Sequence, residues 1–351
     1  MLAGQIRTLT SLLYPPLKPE IEVSAPRKPT FIKLSATSVP AVAASPRHEL
    51  EQGLLAVAAS VSPKFFYNAL GSKLFEAITG LDEYYPTRTE ASIFKASQIQ
   101  MVSAIRQAGV QSPCLIDLGA GNCAKAAALI PHLMPRQYVP VDISVDFLKD
   151  AAEQVQMSFP ALDIVGLGMD FSSGLSLPNA IQSRDRVFFY PGSSLGNFDP
   201  NESLRFLENI ASPANGMARG LLLGIDLVKD SATLEAAYDD ALGVTAAFNK
   251  NLLLNVNALL QSDFDVRQWR HVALFNAGQS RIEMHLEATC DVVVRWPGNE
   301  RAFDAGERIH TESSYKYTIE TMTALLRRAG FARVEHWTDA KGWFGVFWAS
   351  V

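Results

Sequence analysis

Cysteine is scarce in this chain. Its 351 residues include three cysteines, Cys114, Cys123 and Cys290, in unrelated sequence settings. An odd number of scattered cysteines gives no disulfide framework and is typical of a protein from a reducing compartment. We therefore expect a cytoplasmic protein, and we predict no metal site.

The chain also lacks an excess of basic residues and any long apolar run. Its formal net charge is −5, which argues against a nucleic-acid partner. No apolar run is long enough to span a bilayer, and residues 1–18 lack the apolar core and cleavage site of a signal peptide. We expect a monomer that meets neither nucleic acid nor membrane.

The N-terminal segment differs in composition from the rest of the chain. Residues 1–46 are rich in Pro, Ser, Ala and Val and have no sustained periodicity, which predicts a mobile leader. An arm that packs on the body of the protein or on a partner is the alternative. The length of the remainder favours two domains, because one core rarely serves so many residues.

The most informative stretch is an apolar run that ends in two glycines. Residues 114–118 predict a short buried parallel strand. Gly119 and Gly121 allow a sharp turn and a close approach of the backbone to a ligand. Residues 124–133 predict a helix whose N-terminus would face that ligand. The unit indicates an α/β, Rossmann-like fold, although a glycine turn in an ordinary α/β protein is the plainer interpretation.

Two acidic strand ends distinguish between cofactors. The Gly119-x-Gly121 turn also fits the loose dinucleotide fingerprint, so NAD is one alternative. Asp142 ends the next predicted strand about 20 residues past the loop, where a carboxylate accepts ribose hydroxyls. Asp170 and Phe171 follow the third predicted strand, and an acid beside an aromatic ring suits an adenine. This pair favours S-adenosylmethionine.

The fourth predicted strand, 186–190, opens into a loop rich in glycine and serine. Residues 191–198 should face the reaction centre, because ligands of open α/β sheets sit beyond the carboxyl ends of the strands. Asn197 in this loop offers a donor and an acceptor, which suits an α-amino group. A turn asparagine is the alternative.

The alternation of strand and helix breaks after residue 231. A helical stretch is predicted over 234–260, with Tyr238 on its first part. Strands are predicted at 269–275, 281–289 and 291–296. We interpret this region as an inserted α+β domain that pairs in space with residues 47–88. Before it, Thr89 and Glu90 predict a helix start that follows a loop containing Tyr84.

Together these segments resemble the ergothioneine-pathway L-histidine Nα-methyltransferase family, from about residue 50 to the C-terminus. The motifs that carry the resemblance are Phe66-Tyr67, Gly71-Ser72, Tyr84-Tyr85-Pro86-Thr87-Arg88-Thr89-Glu90, Gly192-Ser193-Ser194-Leu195-Gly196-Asn197, Asp226-Leu227-Val228-Lys229-Asp230, Tyr238-Asp239-Asp240, Gly243-Val244-Thr245-Ala246-Ala247-Phe248-Asn249 and Ile282-Glu283-Met284. The resemblance implies a Rossmann-like, S-adenosylmethionine-binding methyltransferase domain at 89–228 and 313–351, and a discontinuous substrate-binding domain at 47–88 and 229–312.

The resemblance also implies up to three methyl transfers to the α-amine of L-histidine, giving hercynine. The cofactor residues that it implies are Tyr67, Gly119, Gly121, Lys125, Asp142, Asp170 and Phe171. The substrate residues that it implies are Tyr84, Gly192, Asn197, Tyr238, Met284, Glu312 and Ser314. Asn197 and Tyr84 are the implied catalytic pair, and Lys125 would favour the methionine carboxylate as a cation.

Each implied substrate contact has a chemical reason. Glu312 and Ser314 would bind the two imidazole nitrogens and reject side chains that lack them. The hydroxyls of Tyr84 and Tyr238 would hold the carboxylate, and Asn197 would hold the amine with the backbone of its loop. No histidine is obviously placed as a base, so we expect in-line displacement driven by positioning.

Some alternatives remain at this stage. Tyr315 departs from the pattern of the family and could reshape the surroundings of the imidazole. A related N-methyltransferase for tryptophan or a histidine derivative would require that Glu312 and Ser314 not face the ring. A dehydrogenase would need a proton relay beside a nicotinamide, for which we find no candidate. His285 and His310 are predicted to be structural.

Overall fold

A mixed eight-stranded sheet organises the larger part of the chain. The computed structural model describes residues 27–34, 45–171, 174–212 and 217–351. The strands in these ranges are β1 (Thr30–Lys33), β2 (Cys114–Leu118), β3 (Gln137–Asp142), β4 (Asp163–Gly168), β5 (Arg184–Tyr190), β6 (Met217–Asp226), β7 (Trp269–Asn276), β8 (Arg281–Ala288), β9 (Val292–Trp296), β10 (Asn299–Phe303), β11 (Arg308–Tyr315), β12 (Arg333–Thr338) and β13 (Phe344–Ser350). The helices are α1 (Pro46–Leu55), α2 (Ala69–Thr79), α3 (Tyr85–Gln107), α4 (Ala124–Leu133), α5 (Val145–Ser158), α6 (Pro200–Ala211), α7 (Ser231–Ala236), α8 (Val244–Leu260) and α9 (Ile319–Arg328). Within the same ranges no helix is long and apolar enough to cross a membrane.

The order of the strands locates the ligand-binding edge. The large sheet runs β1-β4-β3-β2-β5-β6-β13-β12. Neighbours from β1 to β6 are parallel, whereas β13 is antiparallel to β6 and to β12. The chain passes from β2 outward through β3 and β4, and then returns to the other side of β2 as β5. Ligands of such sheets bind beyond the strand ends at this reversal.

The glycine turn follows the buried strand β2. All five residues of β2 are buried, as expected for a central parallel strand covered on both faces. Gly119 and Gly121 have φ of +68° and +52°, a region that glycine adopts without steric cost. The N–H groups of Gly119 and Ala120 donate to the carbonyl of Val141 on β3. The predicted strand and helix around the glycines are confirmed with unchanged bounds.

A smaller antiparallel sheet forms the second part of the molecule. Its order is β11-β8-β7, and β9 and β10 form a separate hairpin. Phe66, Phe248 and Trp269 belong to the core between this sheet and the helices α2 and α8. β11 continues in the small sheet through Tyr315, so the domain boundary expected between residues 312 and 313 falls inside this strand.

The prediction of a mobile leader was wrong for residues 30–33. They form β1, which pairs in parallel with β4. Phe31 packs over Gly166, where an added Cβ would lie 2.6 Å from the Phe31 ring. The arm that packs on the body is therefore the correct alternative for this strand. Residues 1–26 and 35–44 of the predicted leader lie outside the described ranges.

The helix α3 starts earlier than expected. It begins at Tyr85, with Pro86 in its first turn, where the fixed φ of proline is favourable and its missing N–H costs nothing. The predicted start at Thr89 and Glu90 was wrong, because Pro86 favours a helix start one turn earlier. Glu90 instead lies one turn inside the helix and is buried.

The predicted helix over 234–260 is interrupted. Tyr238 lies in the connection between α7 and α8 and not on a helix. Asp240 accepts hydrogen bonds from the N–H groups of Val244 and Thr245, at 2.9 and 2.7 Å. A carboxylate that satisfies the first amides of a helix stabilises a new helix start, so the chain begins again at α8.

Docking of β1 can be tested by truncating the Phe31 ring. Phe31→Ala is expected to lower the free energy of unfolding by about 1–3 kcal/mol, less than the loss for a fully buried phenylalanine. Denaturant titration measures this change. Lys33→Ala, an exposed position on the same strand, should change stability by less than about 0.5 kcal/mol. Equal effects of the two substitutions would show that β1 does not pack on the sheet.

Candidate active site

Two cavities adjoin at the carboxyl ends of β2 and β5. The larger cleft is lined by six of the seven residues predicted for the cofactor, namely Tyr67, Gly119, Gly121, Asp142, Asp170 and Phe171. The smaller cavity is lined by all seven residues predicted for the substrate, namely Tyr84, Gly192, Asn197, Tyr238, Met284, Glu312 and Ser314. Asn197 and Tyr67 line both spaces, so the two cavities meet at these side chains.

Asp142 is held rigidly at the end of β3. Its two carboxylate oxygens accept hydrogen bonds from the N–H groups of Gly121, at 3.0 Å, and Ser144, at 2.9 Å. Burial raises the pKa of Asp142, and the amide donors oppose that rise. The glycine turn therefore orients an acceptor that lines the larger cleft.

The pair after β4 also borders the larger cleft. The Phe171 ring packs edge-on against Tyr190, with ring centroids 5.7 Å apart. Lys64 Nζ lies 3.4 Å from Asp170 Oδ2 and 2.7 Å from Glu49 Oε2. A cation from the 3-10 turn Pro63–Phe66 thus bridges helix α1 and the segment that follows β4.

Lys125 does not line either cavity, and it is paired with a buried carboxylate. Its Nζ lies 2.5 Å from Glu90 Oε2, while Glu90 Oε1 accepts the N–H of Gly192 at 2.8 Å. The Glu90 side chain is 1% exposed. One carboxylate on α3 therefore joins the helix after the glycine turn to the loop after β5.

Aromatic rings form one wall of the smaller cavity. Successive ring centroids lie 5.9 Å apart for Tyr67 and Phe75, 6.2 Å for Phe75 and Tyr84, and 6.3 Å for Tyr84 and Tyr238, each pair in an edge-on arrangement. Burial raises the pKa of Tyr67 and of Tyr84. Both phenols therefore remain protonated at neutral pH and are available as hydrogen-bond donors.

A buried charge cluster at the end of β6 borders the same cavity. Asp226 Oδ1 lies 2.6 Å from Lys229 Nζ, and Asp226 Oδ2 lies 2.8 Å from Lys316 Nζ. Tyr85 donates its hydroxyl to the same carboxylate at 2.7 Å. Burial lowers the pKa of Lys229 to about 8, against the attraction of Asp226. Burial also opposes the charge of Lys316, but Asp226 and Tyr238 outweigh it and raise the pKa of Lys316.

A β-bulge sets which residues of β11 reach the smaller cavity. His310 pairs with His285, but Glu312 and not Thr311 pairs with Met284 on β8. In an unbroken ladder Glu312 would share the face of His310, because strand side chains alternate. The extra residue turns Glu312 to the face of Met284. Thr311 donates its hydroxyl to the Met284 carbonyl at 3.0 Å.

The two histidines predicted to be structural lie together on the other face. The rings of His285 and His310 are 5.2 Å apart. His285 Nε2 lies 3.1 Å from Glu283 Oε2, and His310 Nε2 lies 2.9 Å from Ser313 Oγ. Burial lowers the pKa of His310 to about 4, with a further contribution from His285. Neither ring lines the smaller cavity, although His310 borders the larger cleft.

The sequence analysis assigns no place in the site to Glu90, Asp226 or Lys316, although Glu90 and Asp226 lie in quoted motifs. Asp226 could have been found, because it follows the apolar run 221–225 much as Asp142 follows an apolar run. Glu90 and Lys316 carry no such signal, since their partners are distant in sequence and only the fold brings them together.

The link made by Glu90 can be tested through the glycine that makes room for it. A Cβ at Gly224 would lie 1.9 Å from Glu90 Oε1. Gly224→Ala is therefore expected to displace the carboxylate from Lys125 and Gly192. The free energy of unfolding should fall by about 1–3 kcal/mol, and calorimetry should show weaker binding of S-adenosylmethionine.

Gly220→Ala is the matched control on the same strand. A Cβ there would meet a backbone carbonyl of β13 at 2.4 Å, away from both cavities. It should destabilise the protein and leave the cofactor affinity unchanged. The link through Glu90 is refuted if the two substitutions weaken cofactor binding equally.

Comparison with known proteins agrees with this geometry. Residues 46–351 match the model of a family described as histidine-specific methyltransferase, SAM-dependent. The chain is 39% identical over 306 residues to the histidine N-alpha-methyltransferase of Mycolicibacterium smegmatis, covering 86% of this chain and 93% of that protein. A Mycobacterium tuberculosis protein of the same name is also 39% identical, with the same shares covered.

A fungal relative is longer. The chain is 29% identical to ergothioneine biosynthesis protein 1 of Neurospora crassa. The match covers 78% of this chain but only 31% of the fungal protein. The family model spans most of the chain and includes every residue that lines the two cavities. The chain therefore belongs to the S-adenosylmethionine-dependent, histidine-specific methyltransferase family.

Proposed function

We propose that this enzyme transfers methyl groups from S-adenosylmethionine to the α-amino nitrogen of L-histidine, up to three times, giving hercynine for ergothioneine biosynthesis. The observation that carries the proposal is the junction of the two cavities at Asn197, with Glu312 and Ser314 lining the smaller one. A carboxylate and a hydroxyl together match an imidazole and reject side chains without ring nitrogens. The names of the bacterial relatives support the same substrate.

The residues of the larger cleft fit the methyl donor. When bound, S-adenosylmethionine supplies an electrophilic methyl group on a sulfonium. Gly119 and Gly121, at positive φ, would let the backbone approach it closely. Asp142 would accept the ribose hydroxyls, and Asp170 would accept the exocyclic amine of adenine beside the Phe171 ring.

The amino-acid end of the methyl donor would meet Lys125 and Tyr67. Lys125 is 36% exposed although it is paired with Glu90, and a Cβ at Gly192 would lie 3.0 Å from its Nζ. The ammonium therefore reaches the loop after β5, where a carboxylate could share it with Glu90. Tyr67 lines both cavities and would close the space between donor and substrate.

On the substrate side, the amine would lie at the junction and the ring in the smaller cavity. Asn197 can accept from the amine through its carbonyl oxygen. The N–H of Gly192 is occupied by Glu90, so the carbonyl of Gly192 is the group that would accept from the amine. The hydroxyls of Tyr84 and Tyr238 would hold the carboxylate, and Met284 would pack against the ring.

Positioning supplies most of the rate in this scheme. Burial raises the pKa of Tyr84, so Tyr84 would orient the amine together with Asn197 and would not deprotonate it. The amine therefore reacts in its neutral form, with its lone pair aimed at the methyl carbon. The aromatic wall would tolerate the growing positive charge of the methylated amine through cation–π attraction.

We also propose that the protein acts in the cytoplasm as a monomer, on free histidine. Its three cysteines are free thiols, in keeping with a reducing compartment.

We further propose that the chain is organised in two parts. Residues 47–88 and 229–312 would bind the substrate, and residues 89–228 and 313–351 would bind the methyl donor. The pairing of β11 with β8 supports a boundary a few residues later than 312.

Product mass tests the activity directly. The protein is incubated with S-adenosylmethionine and either L-histidine or L-tryptophan, and products carrying one, two and three added methyl groups are expected from histidine. Asn197→Ala should retain cofactor affinity and lose most turnover, because it changes the orientation of the amine. Methylated tryptophan without methylated histidine would assign the enzyme to another amino acid. Equal losses of turnover and cofactor affinity would contradict the role of Asn197.

The acid limb of the pH profile tests Glu312. Burial raises the pKa of Glu312 to about 7, and Lys316 opposes that rise. The ionised carboxylate accepts a hydrogen bond from a ring N–H, whereas the protonated carboxyl group carries a hydrogen that opposes the ring hydrogen. The kcat/KM for histidine should therefore fall as the pH drops through 7. In Glu312→Gln the slope of log kcat/KM against pH should be smaller on the acid side, because one titrating group is removed. On the alkaline side kcat/KM should be lower by about tenfold or more. An unchanged slope would exclude Glu312 as the titrating group.

A further inference from the structure

Lys316 lies just beyond β11, with a fully buried ammonium. Its side chain is 0% exposed. Besides the ion pair with Asp226, its Nζ donates hydrogen bonds to Ser314 Oγ at 2.9 Å and to Tyr238 OH at 3.1 Å. An ammonium has three N–H donors and no acceptor. These three contacts therefore match its whole donor capacity, and two of them go to residues that line the smaller cavity.

The ammonium restricts the direction of the Ser314 hydroxyl. Ser314 Oγ accepts from Lys316, and it also accepts from the Tyr238 hydroxyl at 2.8 Å. A serine hydroxyl has two lone pairs and one hydrogen. Both lone pairs are occupied, so Ser314 can meet a ligand only as a donor.

The same argument applies to Tyr238 when a ligand carboxylate is present. Its oxygen accepts from Lys316, so its hydrogen points away from the ammonium. If that hydrogen turns from Ser314 to a carboxylate, the adjacent cation still disfavours any orientation of the Ser314 hydrogen toward Lys316. Both hydroxyls therefore remain donors toward the cavity.

We propose that Lys316 is a positioning and specificity-determining residue that makes Ser314 a hydrogen-bond donor, so that the site selects a neutral imidazole with an unprotonated nitrogen toward Ser314. The inference rests on the proposed function and adds the tautomer that is bound. The Glu312 carboxylate, which has no hydrogen-bond partner among the described side chains, accepts the ring N–H. A ring that carries hydrogens on both nitrogens would oppose the Ser314 hydrogen.

The charge cluster allows Lys316 to be removed without leaving a buried charge unpaired. Asp226 is shared by Lys229 and Lys316. Lys316→Met leaves the carboxylate paired with Lys229, and Lys229→Met leaves it paired with Lys316. The two variants make the same change in charge. The Lys229 ammonium donates to Asp226, Tyr85 and the Leu227 carbonyl, so Lys229→Met leaves the hydrogen bonds of Ser314 and Tyr238 in place.

Discrimination against a ring without an acceptor nitrogen is the decisive measurement. The substrates are L-histidine and its two pyrrole analogues, in which one ring nitrogen is replaced by C–H. For the unmodified protein, kcat/KM should be about tenfold to a hundredfold higher for histidine than for the analogue that retains the N–H facing Glu312. In Lys316→Met this ratio should shrink severalfold through a higher KM for histidine, with kcat much less affected. Lys229→Met should keep the ratio.

Ser314→Ala provides a second route that does not depend on the folding of the lysine variants. It should shrink the same ratio, and adding Lys316→Met to it should produce no further change, because the two residues act through one hydrogen bond. The inference is overturned if Ser314→Ala keeps the ratio, if Lys316→Met lowers both substrates equally, or if Lys229→Met shrinks the ratio as much. A protein that methylates no histidine at all would instead refute the proposed function.

Discussion

The reversal of strand order between β2 and β5 is the constraint on which the rest of the structure depends. The loops after these two strands leave neighbouring positions of one sheet, so the glycine turn and Asn197 border the same space although they are far apart in sequence. Glu90 then joins helix α4, which follows the glycine turn, to the loop after β5 through Lys125 and the Gly192 amide. The methyl donor and the acceptor nitrogen would thus be aligned by a buried carboxylate on rigid elements.

The smaller cavity is assembled from segments that the chain order separates. Tyr84 precedes α3, Asp226 ends β6, Tyr238 lies between two helices, and Glu312 comes from the small sheet. Buried ions are costly unless they are paired and hydrogen-bonded. The Asp226 cluster meets this condition and leaves a positive excess behind the hydroxyls, which suits a site for an anionic amino-acid carboxylate.

The sequence predicts the parts of this protein whose signals are local. The buried strand and positive-φ glycines predict β2 and the turn, and the acid at Asp142 follows from the spacing along one βαβ unit. The break before α8 was missed because Asp240 caps the helix only when the chain turns there. β1 was missed because its partner, β4, is more than a hundred residues away. The choice of imidazole-binding residues came from resemblance to a family, and periodicity alone would not have given it.

The bulge at Thr311 makes the lining of the smaller cavity depend on the number of residues in β11 as well as on their identity. An unbroken ladder with the same residues would turn Glu312 to the face of His285, away from the smaller cavity. Deletion of Thr311 would remove the bulge yet keep Glu312 opposite Met284, whereas an insertion that shifts the ladder by one residue would reverse the faces of the side chains that follow it.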